Sequence, residues 1–309
     1  EVRRDSTLAL GRLFDSSVVP HLIKVLEDKI KGVQLAAIES LKKIGDVRAI
    51  EPLMELLIHS DGEIIWAAGT AVASFGEMVP IDELGALLGA RDVATRSNAI
   101  LALGATRKRE AVAYLERALD DPASDVRCAA VEALAPIVGK ESLELLVKAL
   151  TDQKGKVRFS AVAALGLWGK NPIAVDGLIG MLRDEDVKVR SAAAKWLGRC
   201  QAKQAYTFVL PLLDDLEQEV RLAAVEALGA LGGSEAIEAL IPILGSWQLE
   251  MREEAIKAIG HLCHRERNTR VLQRAAQALW WTLTDEKRVA QRSFQCLERI
   301  VLKLEEVRS

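Results

Sequence analysis

Aromatic residues are scarce in this chain of 309 residues: they make up 4% of it, although 50% of the residues are hydrophobic. Alanine is abundant instead, so we expect helices that pack closely through small side chains. Cysteine is also rare, and the four cysteines follow no spacing typical of a disulfide framework. This pattern excludes a small disulfide-stabilised secreted domain and favours a reduced, cytoplasmic setting.

Neither a strong charge of one sign nor a long apolar run is present. The net charge is −3, from 41 basic and 44 acidic residues, and this near balance disfavours a nucleic-acid partner, which needs a basic surface. No apolar stretch approaches the length of a membrane span, and no signal peptide is visible at Glu1. The sequence therefore predicts no membrane partner.

Catalytic motifs are missing as well. The chain has no Walker loop, no dinucleotide glycine fingerprint after a strand, and no serine or cysteine nucleophile with a matching base. These absences favour a protein without enzymatic activity, catalytic residues or a cofactor.

What the sequence does contain is one phrase that recurs about every 31 residues. Its clearest copies, VRCAAVEAL and VRLAAVEALG, begin at Val126 and Val220. The first residues of the copies, called offset zero below, are Val2, Val33, Ile64, Thr95, Val126, Val157, Val189, Val220 and Met251. Self-similarity with this period is typical of a solenoid of stacked repeats.

Each repeat is predicted to form two helices of about 12 residues. Apolar residues at offsets four, five, eight and eleven make one face of a helix that starts with the Val-Arg pair. A second apolar pattern follows, as in 236–244, and Pro211 and Pro242 should distort that second helix. Several glycines are expected to end the Val-Arg helix: Gly45, Gly76, Gly169 and Gly232.

The phrase resembles the short HEAT-like repeats named after the phycobilisome lyases. The shared pattern is an acidic cap, Val-Arg, Ala-Ala, Ala-Leu, glycine and then Ala-Ile-x-x-Leu, and it covers nearly the whole chain. The resemblance implies an all-α, right-handed superhelix of about nine or ten repeats. It also implies that the Val-Arg helix of each pair lines the concave face and that the other helix lies on the convex face.

We expect one continuous solenoid over 1–309 with two atypical ends. The chain opens on Val2, so the first repeat lacks its first helix and leaves an apolar face open to an upstream segment or to self-association. The ninth repeat has 38 residues instead of 31. This excess predicts an irregular capping repeat over 264–309 with a terminal helix over 289–301.

An arginine follows offset zero in most repeats: Arg3, Arg96, Arg127, Arg158, Arg190, Arg221 and Arg252. This column is either a cationic stripe for phosphate or carboxylate ligands or a structural ladder. In the ladder, each arginine pairs with the cap acid of an adjacent repeat, such as Asp61, Asp92 or Asp125. The near-equal number of acids favours the ladder.

Offsets two, six and ten should point away from the core side of the Val-Arg helix and form the concave surface. In the middle repeats these positions are mostly apolar or small, and towards the chain ends they become charged. An apolar centre with a charged rim is typical of a protein-binding groove, although tight curvature could also pack these residues together. The predicted partner-binding residues are Trp66, Thr70, Ser97, Leu101, Cys128, Phe159, Leu167, Trp196 and Arg199. We expect Trp66, Leu101 and Phe159 to be the anchors.

Trp196 occupies offset seven, where the other repeats from the first to the ninth have alanine or serine. So bulky a side chain either fills a gap between helices or projects into the groove and contacts a ligand. The sequence leaves both interpretations open.

His261-Leu-Cys-His264 is the only cluster with metal-binding residue types. It offers three potential ligands, and its spacing matches no closed zinc site, so we interpret it as a turn and expect no metal. Four arginines follow it: Arg265, Arg267, Arg270 and Arg274. We interpret them as a solvated helix face, with a contact for phosphate or an acidic partner as the alternative.

These observations predict a non-enzymatic scaffold that binds a protein or peptide segment on its concave face. The family resemblance implies an alternative, a bilin lyase subunit or a phycobiliprotein chaperone-like factor, in which the groove would hold a tetrapyrrole. A second alternative is the sensor or arm region of a larger signalling protein.

Overall fold

The computed structural model of the protein describes residues 1–137 and 139–308. Val138 and Ser309, the last residue of the predicted capping repeat, lie outside the described residues. Within the described ranges every regular element is a helix, which confirms the all-α prediction.

The helices alternate between two kinds. The Val-Arg helices carry offset zero near their start: α1 (Val2–Gly11), α3 (Lys31–Ile44), α5 (Gly62–Ala73), α7 (Val93–Thr106), α9 (Ser124–Leu134), α11 (Gly155–Gly166), α13 (Val187–Arg199), α15 (Gln218–Leu231), α17 (Leu249–Arg265) and α19 (Lys287–Arg308). The connecting helices lie between them in the chain: α2 (Val19–Val25), α4 (Ile50–Glu55), α6 (Ile81–Leu87), α8 (Val112–Ala118), α10 (Lys140–Ala149), α12 (Pro172–Gly180), α14 (Tyr206–Val209), α16 (Ser234–Leu240) and α18 (Thr269–Trp281).

The chain divides into two compact units, of which the first is Glu1–Ala164 and the second begins at Leu165. In the first unit α5 packs on α7 and α7 on α9, and in the second α13 packs on α15, α15 on α17 and α17 on α19. Each unit is therefore a stack of repeats in which a Val-Arg helix contacts the Val-Arg helix of the next repeat. A single solenoid over 1–309 stays a prediction.

The core follows the predicted columns. From the second to the ninth repeat, the alanines at offset four are completely buried: Ala37, Ala68, Ala99, Ala130, Ala161, Ala193, Ala224 and Ala255. Residues at offset eight, such as Leu134 and Leu228, are buried as well. Because offsets four and eight lie on one side of a helix, each Val-Arg helix buries one continuous stripe.

Two Val-Arg helices also approach closely where offset nine of one repeat meets offset seven of the next. A Cβ on Gly198 would lie 2.8 Å from the Cα of Ala227, and a Cβ on Gly104 would lie 2.6 Å from the Cβ of Ala133. Glycine at offset nine and alanine at offset seven therefore let the helices come together. This contact explains why offset seven is small in nearly every repeat.

All connecting helices except α18 are shorter than the predicted length of about 12 residues, and most of them have a 3₁₀ turn at one or both ends. Helix α14 has four residues and continues as a 3₁₀ helix over Leu210–Asp214, which contains Pro211. Helix α16 continues in the same way over Ile241–Gly245, which contains Pro242. Proline removes a backbone donor from the α-helical pattern, and the predicted distortion at both prolines is confirmed.

Offset twelve follows the end of the Val-Arg helix and takes the left-handed backbone conformation in six repeats. The residues are Phe14, Gly45, Gly76, Arg107, Gly169 and Gln201, with φ between 51° and 70°. Gly232 also ends its helix, as predicted, but with φ −6° and ψ 170° instead of the left-handed conformation. The physical reason is the short connection there, since α16 begins two residues later at Ser234.

The extra residues of the ninth repeat lengthen helices instead of forming an irregular turn. Helix α17 has 17 residues and α18 has 13, and the terminal helix covers 287–308 rather than 289–301. The predicted turn at His261–His264 is therefore wrong. The helical stripe continues through it, because Ile256, Ile259 and Cys263 are all buried.

Candidate functional site

The arginine column forms a structural ladder. Arg127 Nε and Nη2 donate hydrogen bonds to the two carboxylate oxygens of Asp152 at 2.7 and 3.0 Å. Its Nη1 donates to the backbone carbonyls of Asp121 and Pro122 at 2.8 and 3.3 Å. At most one of the five guanidinium donors is left for a ligand, so Arg127 is a poor phosphate contact.

The same arrangement recurs in both units. Arg96 binds both oxygens of Asp121 at 2.7 and 2.9 Å, and Arg190 binds both oxygens of Asp215 at 2.9 and 3.0 Å. The side chains of these pairs are largely buried. The ladder interpretation is confirmed for these rungs, which join the turn before one Val-Arg helix to the turn before the next.

The acids of the ladder are not the ones that the sequence suggested. Asp121, Asp152 and Asp215 lie 25 residues after their arginines, ahead of the predicted cap position. The predicted partners have other contacts. Asp61 accepts from the backbone of Glu63 and Ile64, Asp92 accepts from the backbone of Thr95, and Asp125 pairs with Lys156. The pairing with Asp61, Asp92 and Asp125 was wrong because the long arginine side chain reaches past the cap to the preceding turn.

The ladder keeps its acids ionised. Burial raises the pKa of Asp121, but hydrogen bonds from Arg96 and from the backbone N–H of Ala123 outweigh it, so this pKa lies below its ordinary value. The pKa of Asp152 is lowered by the same balance of burial against hydrogen bonds from Arg127 and the Lys154 N–H. Each rung is thus a charge-assisted pair at neutral pH.

The first unit presents a row of predicted binding residues, here called the first-unit face. At offset two of α5, α7, α9 and α11 stand Trp66, Ser97, Cys128 and Phe159. Trp66 is 63% exposed and Phe159 is 43% exposed, while Ser97 and Cys128 are half-buried. At offset six, Leu101 is 43% exposed. All three expected anchors are therefore accessible to solvent.

Leu101 lines a depression of about 480 Å³ along α5, α7 and α9. Its other lining residues are mostly small or apolar: Ala73, Ser74, Gly76, Gly104, Ala105, Ala129, Ala133 and Pro136. Arg107 and Glu132 supply the two charges. Arg107 is not among the residues predicted from the sequence, although its place at offset twelve, directly after α7, is a signal that it lies near offset ten.

Some polar side chains of the first-unit face already form hydrogen bonds within the protein. The Thr70 hydroxyl donates to the Ala67 carbonyl of its own helix at 2.9 Å. Burial raises the pKa of the Cys128 thiol, and a hydrogen bond with Ser160 opposes it only in part. A thiol that stays protonated is a weak nucleophile, so Cys128 contributes shape and apolar surface rather than covalent chemistry.

Three predicted residues lie in the second unit. Leu167 is 68% exposed. Trp196 is half-buried and packs on Gly166, where any Cβ would overlap its ring, and the Arg199 guanidinium lies 5.2 Å from the ring centroid. Trp196 therefore fills the space that Gly166 leaves open, and Arg199 covers its exposed side as a cation–π partner.

The His261–His264 cluster lacks a usable thiolate. Burial raises the pKa of Cys263 to about 12, with nearby Cys296 adding to the shift. Across the described residues, no group of three or more His, Cys, Asp or Glu side chains is arranged to hold a metal ion. In the same ranges, no helix has the uninterrupted apolar stretch that a bilayer crossing requires.

Solved structures with similar folds have low sequence identity to this chain. Kap95p bound to RanGDP has a TM-score of 0.67 and 15% identity, over 94% of this chain and 45% of that one. An engineered protein has a TM-score of 0.54 and 22% identity, over 96% and 95% of the two chains. The CpcE–CpcF complex of phycocyanin lyase from Nostoc sp. PCC7120 has 22% identity over 72% of this chain and 95% of that one, and its TM-score of 0.43 is too low to support an argument. The two higher scores support the fold alone.

The sequence itself matches a known family. No curated protein matches the chain. The family model of HEAT repeats, however, matches residues 1–73, 59–135, 81–166, 119–186 and 175–260. These segments cover more than half of the chain and coincide with the two-helix repeats and the arginine ladder described above. The chain therefore belongs to the HEAT-repeat family, as its repeated phrase had indicated.

Proposed function

We propose that the protein is a non-enzymatic scaffold that binds an extended segment of a partner protein on the first-unit face. The observation that carries this proposal is the exposure of Trp66, Leu101 and Phe159 on one face of neighbouring helices. Single exposed apolar side chains are normal on a protein surface. Three on one face, beside an alanine-lined depression, are typical of an interaction site.

The spacing of the anchors supports an extended ligand. Helix α5 packs on α7 and α7 on α9, and α9 is joined to α11 by the Lys156–Asp125 ion pair. Three helix spacings of about 8–10 Å each separate Trp66 from Phe159, which gives a span of about 24–30 Å. An extended chain of about eight residues covers that distance.

The chemistry of the face supports a largely apolar segment. Alanines line the depression beside Leu101, so a partner side chain can enter without displacing a large residue. Arg107 and Glu132 stand among these residues with opposite charges, and such charges at the edge of an apolar patch fix orientation more than affinity. Binding then comes mainly from burial of apolar surface.

The second unit contributes a separate part of the proposed contact. Leu167 is exposed, and the Trp196–Arg199 pair presents one aromatic ring and one cation. We expect Leu167 to bind apolar partner groups. Trp196 and Arg199 would set the orientation of a partner that reaches them.

The proposal is tested by selecting peptides from a random 12-residue phage-displayed library on the wild-type protein. Enriched peptides are then measured by calorimetry against wild type and a Trp66→Glu, Phe159→Glu double variant. We expect peptides rich in aromatic and aliphatic residues, and a loss of affinity of at least about 30-fold in the double variant.

A matched control carries Trp247→Glu and Phe208→Glu, which alter an exposed tryptophan and an exposed phenylalanine away from the face. This control should bind like wild type. Equal losses in both double variants, or no loss in the first, would contradict the proposal. Thermal melts of both variants, expected within a few degrees of wild type, show that the fold is kept.

A further inference from the structure

A furrow runs between the last two Val-Arg helices, α17 and α19, and it does not depend on the first-unit face. Two adjoining cavities form it, of about 300 and 730 Å³, and both are lined by Gly260, His261 and Arg299. On α19 the lining residues recur every three or four positions, from Arg292 through Arg299 to Glu306. One whole face of α19 therefore lies along the furrow.

Basic side chains dominate the furrow. Its lining includes seven basic residues: Lys257, His261, His264, Arg265, Arg292, Arg299 and Lys303. Among the described lining residues, Glu306 is the only carboxylate. Cations gathered in a concave site raise the local potential and attract an anionic ligand.

Some of these cations are already paired. Lys303 pairs with Glu306 at 2.9 Å and Lys257 with Glu254 at 3.0 Å, and Arg292 has a long contact of 3.9 Å with Glu253. Arg265 and Arg299 differ: within the described part of the chain, no carboxylate lies within ion-pair distance of either guanidinium. Both arginines are exposed and keep their donors available, unlike the arginines of the ladder.

Helix dipoles account for only part of this cluster. Helix α17 ends at Arg265, and cations in a last turn interact favourably with the C-terminal carbonyls. Arg299, however, lies nine residues before the end of α19 at Arg308, beyond the reach of that effect. A function as a helix cap therefore does not explain why α19 points its cations into the same furrow.

The apolar lining and the length of the furrow favour a peptide over a single small anion as its ligand. Gly229, Ala230 and Gly260 add neither charge nor a long side chain to the lining, and the two glycines lie in the close helix contacts with Ala258 and Cys296. Leu302 lies among the cations and is 65% exposed. The stretch of α19 from Arg292 to Glu306 is about 21 Å long, which matches about six residues of extended chain.

We propose that this furrow binds an acidic peptide segment of a partner protein. Aspartate or glutamate side chains of the segment contact Arg265 and Arg299, and an apolar side chain of the segment packs on Leu302. Charge complementarity sets the partner class, because unpaired guanidinium groups form bidentate hydrogen bonds with carboxylates.

The test uses a fluorescein-labelled eight-residue peptide of six glutamates and two leucines, measured by fluorescence anisotropy on the whole chain. The variant is Arg265→Gln with Arg299→Gln. The matched control is Arg12→Gln with Arg91→Gln, which removes the same charge from two exposed arginines of the first unit. We expect the furrow variant to lose about tenfold in affinity and the control to stay within about twofold of wild type.

Two further arms identify the ligand class. A peptide with glutamine in place of every glutamate should bind at least about tenfold more weakly than the acidic peptide, and added salt should weaken binding of the acidic peptide. Equal affinity of wild type and the furrow variant, or of the two peptides, would overturn the proposal. Displacement of the peptide by millimolar inorganic phosphate, or tighter binding of duplex DNA than of the peptide, would also overturn it in favour of a phosphate site.

Discussion

The first-unit face and the C-terminal furrow share two positions of the repeat, offsets six and ten, but the first surface is mostly apolar and the second is basic. Offsets six and ten supply Leu101 and Pro136 to the depression in the first unit. The same offsets supply Lys257 and Arg299 to the furrow in the second unit, where α19 starts its phrase at Val289. Neither pair contributes to the core, so these positions vary freely while the helices keep their packing.

What both regions share lies on the other side of the helices. Alanine at offset four is buried in the second to ninth repeats, and the arginine of offset one binds the turns on either side of it. The scaffold therefore fixes where a side chain at offset six or ten stands. The residue type at that offset then decides whether the surface is apolar or basic.

The largest expected effect comes from breaking the shared ladder. Asp152→Ala leaves the largely buried guanidinium of Arg127 without its carboxylate, and removing one partner of such a pair costs about 3–5 kcal/mol. Asp125→Ala is the control, because Asp125 pairs with Lys156 at the exposed surface and such pairs contribute less than about 1 kcal/mol. Urea unfolding followed by circular dichroism measures both. Similar losses in the two variants would contradict the ladder.

The ladder also offers an internal comparison in the second unit. Ser246 stands where the other rungs have aspartate, and Arg221 Nη2 donates instead to Gln248 Oε1 at 3.2 Å. Arg221 still donates to the carbonyls of Asp215 and Leu216. This rung has the backbone contacts of the other rungs but no carboxylate. The arginine can therefore bind the turn before its own helix without forming an ion pair with the next turn.

The next effect tests the close contact between Val-Arg helices. Gly198→Ala would place a Cβ 2.8 Å from the Ala227 Cα, and overpacking of this kind costs about 1–3 kcal/mol. Gly180→Ala changes another helical glycine, which has no atom within 4 Å of its Cβ position. It should stabilise the protein by about 0.4–1 kcal/mol, because alanine loses less backbone entropy on folding. A Gly198→Ala variant that is as stable as wild type, or more stable, would show that the glycine contact is not needed.

A gain in stability of about the same size as the loss expected for Gly198→Ala is predicted at one residue beside each of the two surfaces. Arg107 beside the first-unit depression and Gln201 beside the furrow have φ 53° and 51°, a conformation that disfavours side chains with a Cβ. Arg107→Gly and Gln201→Gly should each raise the free energy of unfolding by about 1 kcal/mol. Thermal melting measures this gain. A lower melting temperature in either variant would mean that the side chain contributes more than its backbone strain costs.

The smallest effect is a difference in acid sensitivity. The pKa of Asp121 and of Asp152 is lowered in the folded protein. Their stabilisation is therefore complete above the unfolded pKa of about 3.9 and is lost as pH falls through the folded value. Between about pH 5 and pH 2, wild type should lose stability more steeply than Asp152→Ala. Parallel curves of the free energy of unfolding against pH for the two proteins would contradict the role of Asp152 in this loss.

The sequence predicted those parts of the structure that recur with the period. Offsets zero, four and eight identified the helices and the core, since each column repeats one kind of residue. The acid partners of the ladder were missed because an arginine reaches a turn that lies beyond the cap, as Arg127 reaches Asp152. The sequence singled out Arg265 but not the furrow, because Arg299 comes from the next Val-Arg helix, α19, and because the excess of residues near His261 indicated a turn rather than a longer helix.

The claim that the residue types at offsets six and ten decide whether a surface is apolar or basic is tested most directly by moving the chemistry of the furrow. Leu101→Lys and Pro136→Arg would place two cations on the first-unit face of the Arg265→Gln, Arg299→Gln protein. The glutamate-rich peptide should then bind again, by anisotropy, with an affinity that falls as salt is added. A control with Met78→Arg and Leu216→Lys adds the same charges at exposed positions outside both surfaces. Recovery in the first protein but not in the control is the predicted result, and equal binding in both, or none in the first, would contradict the account.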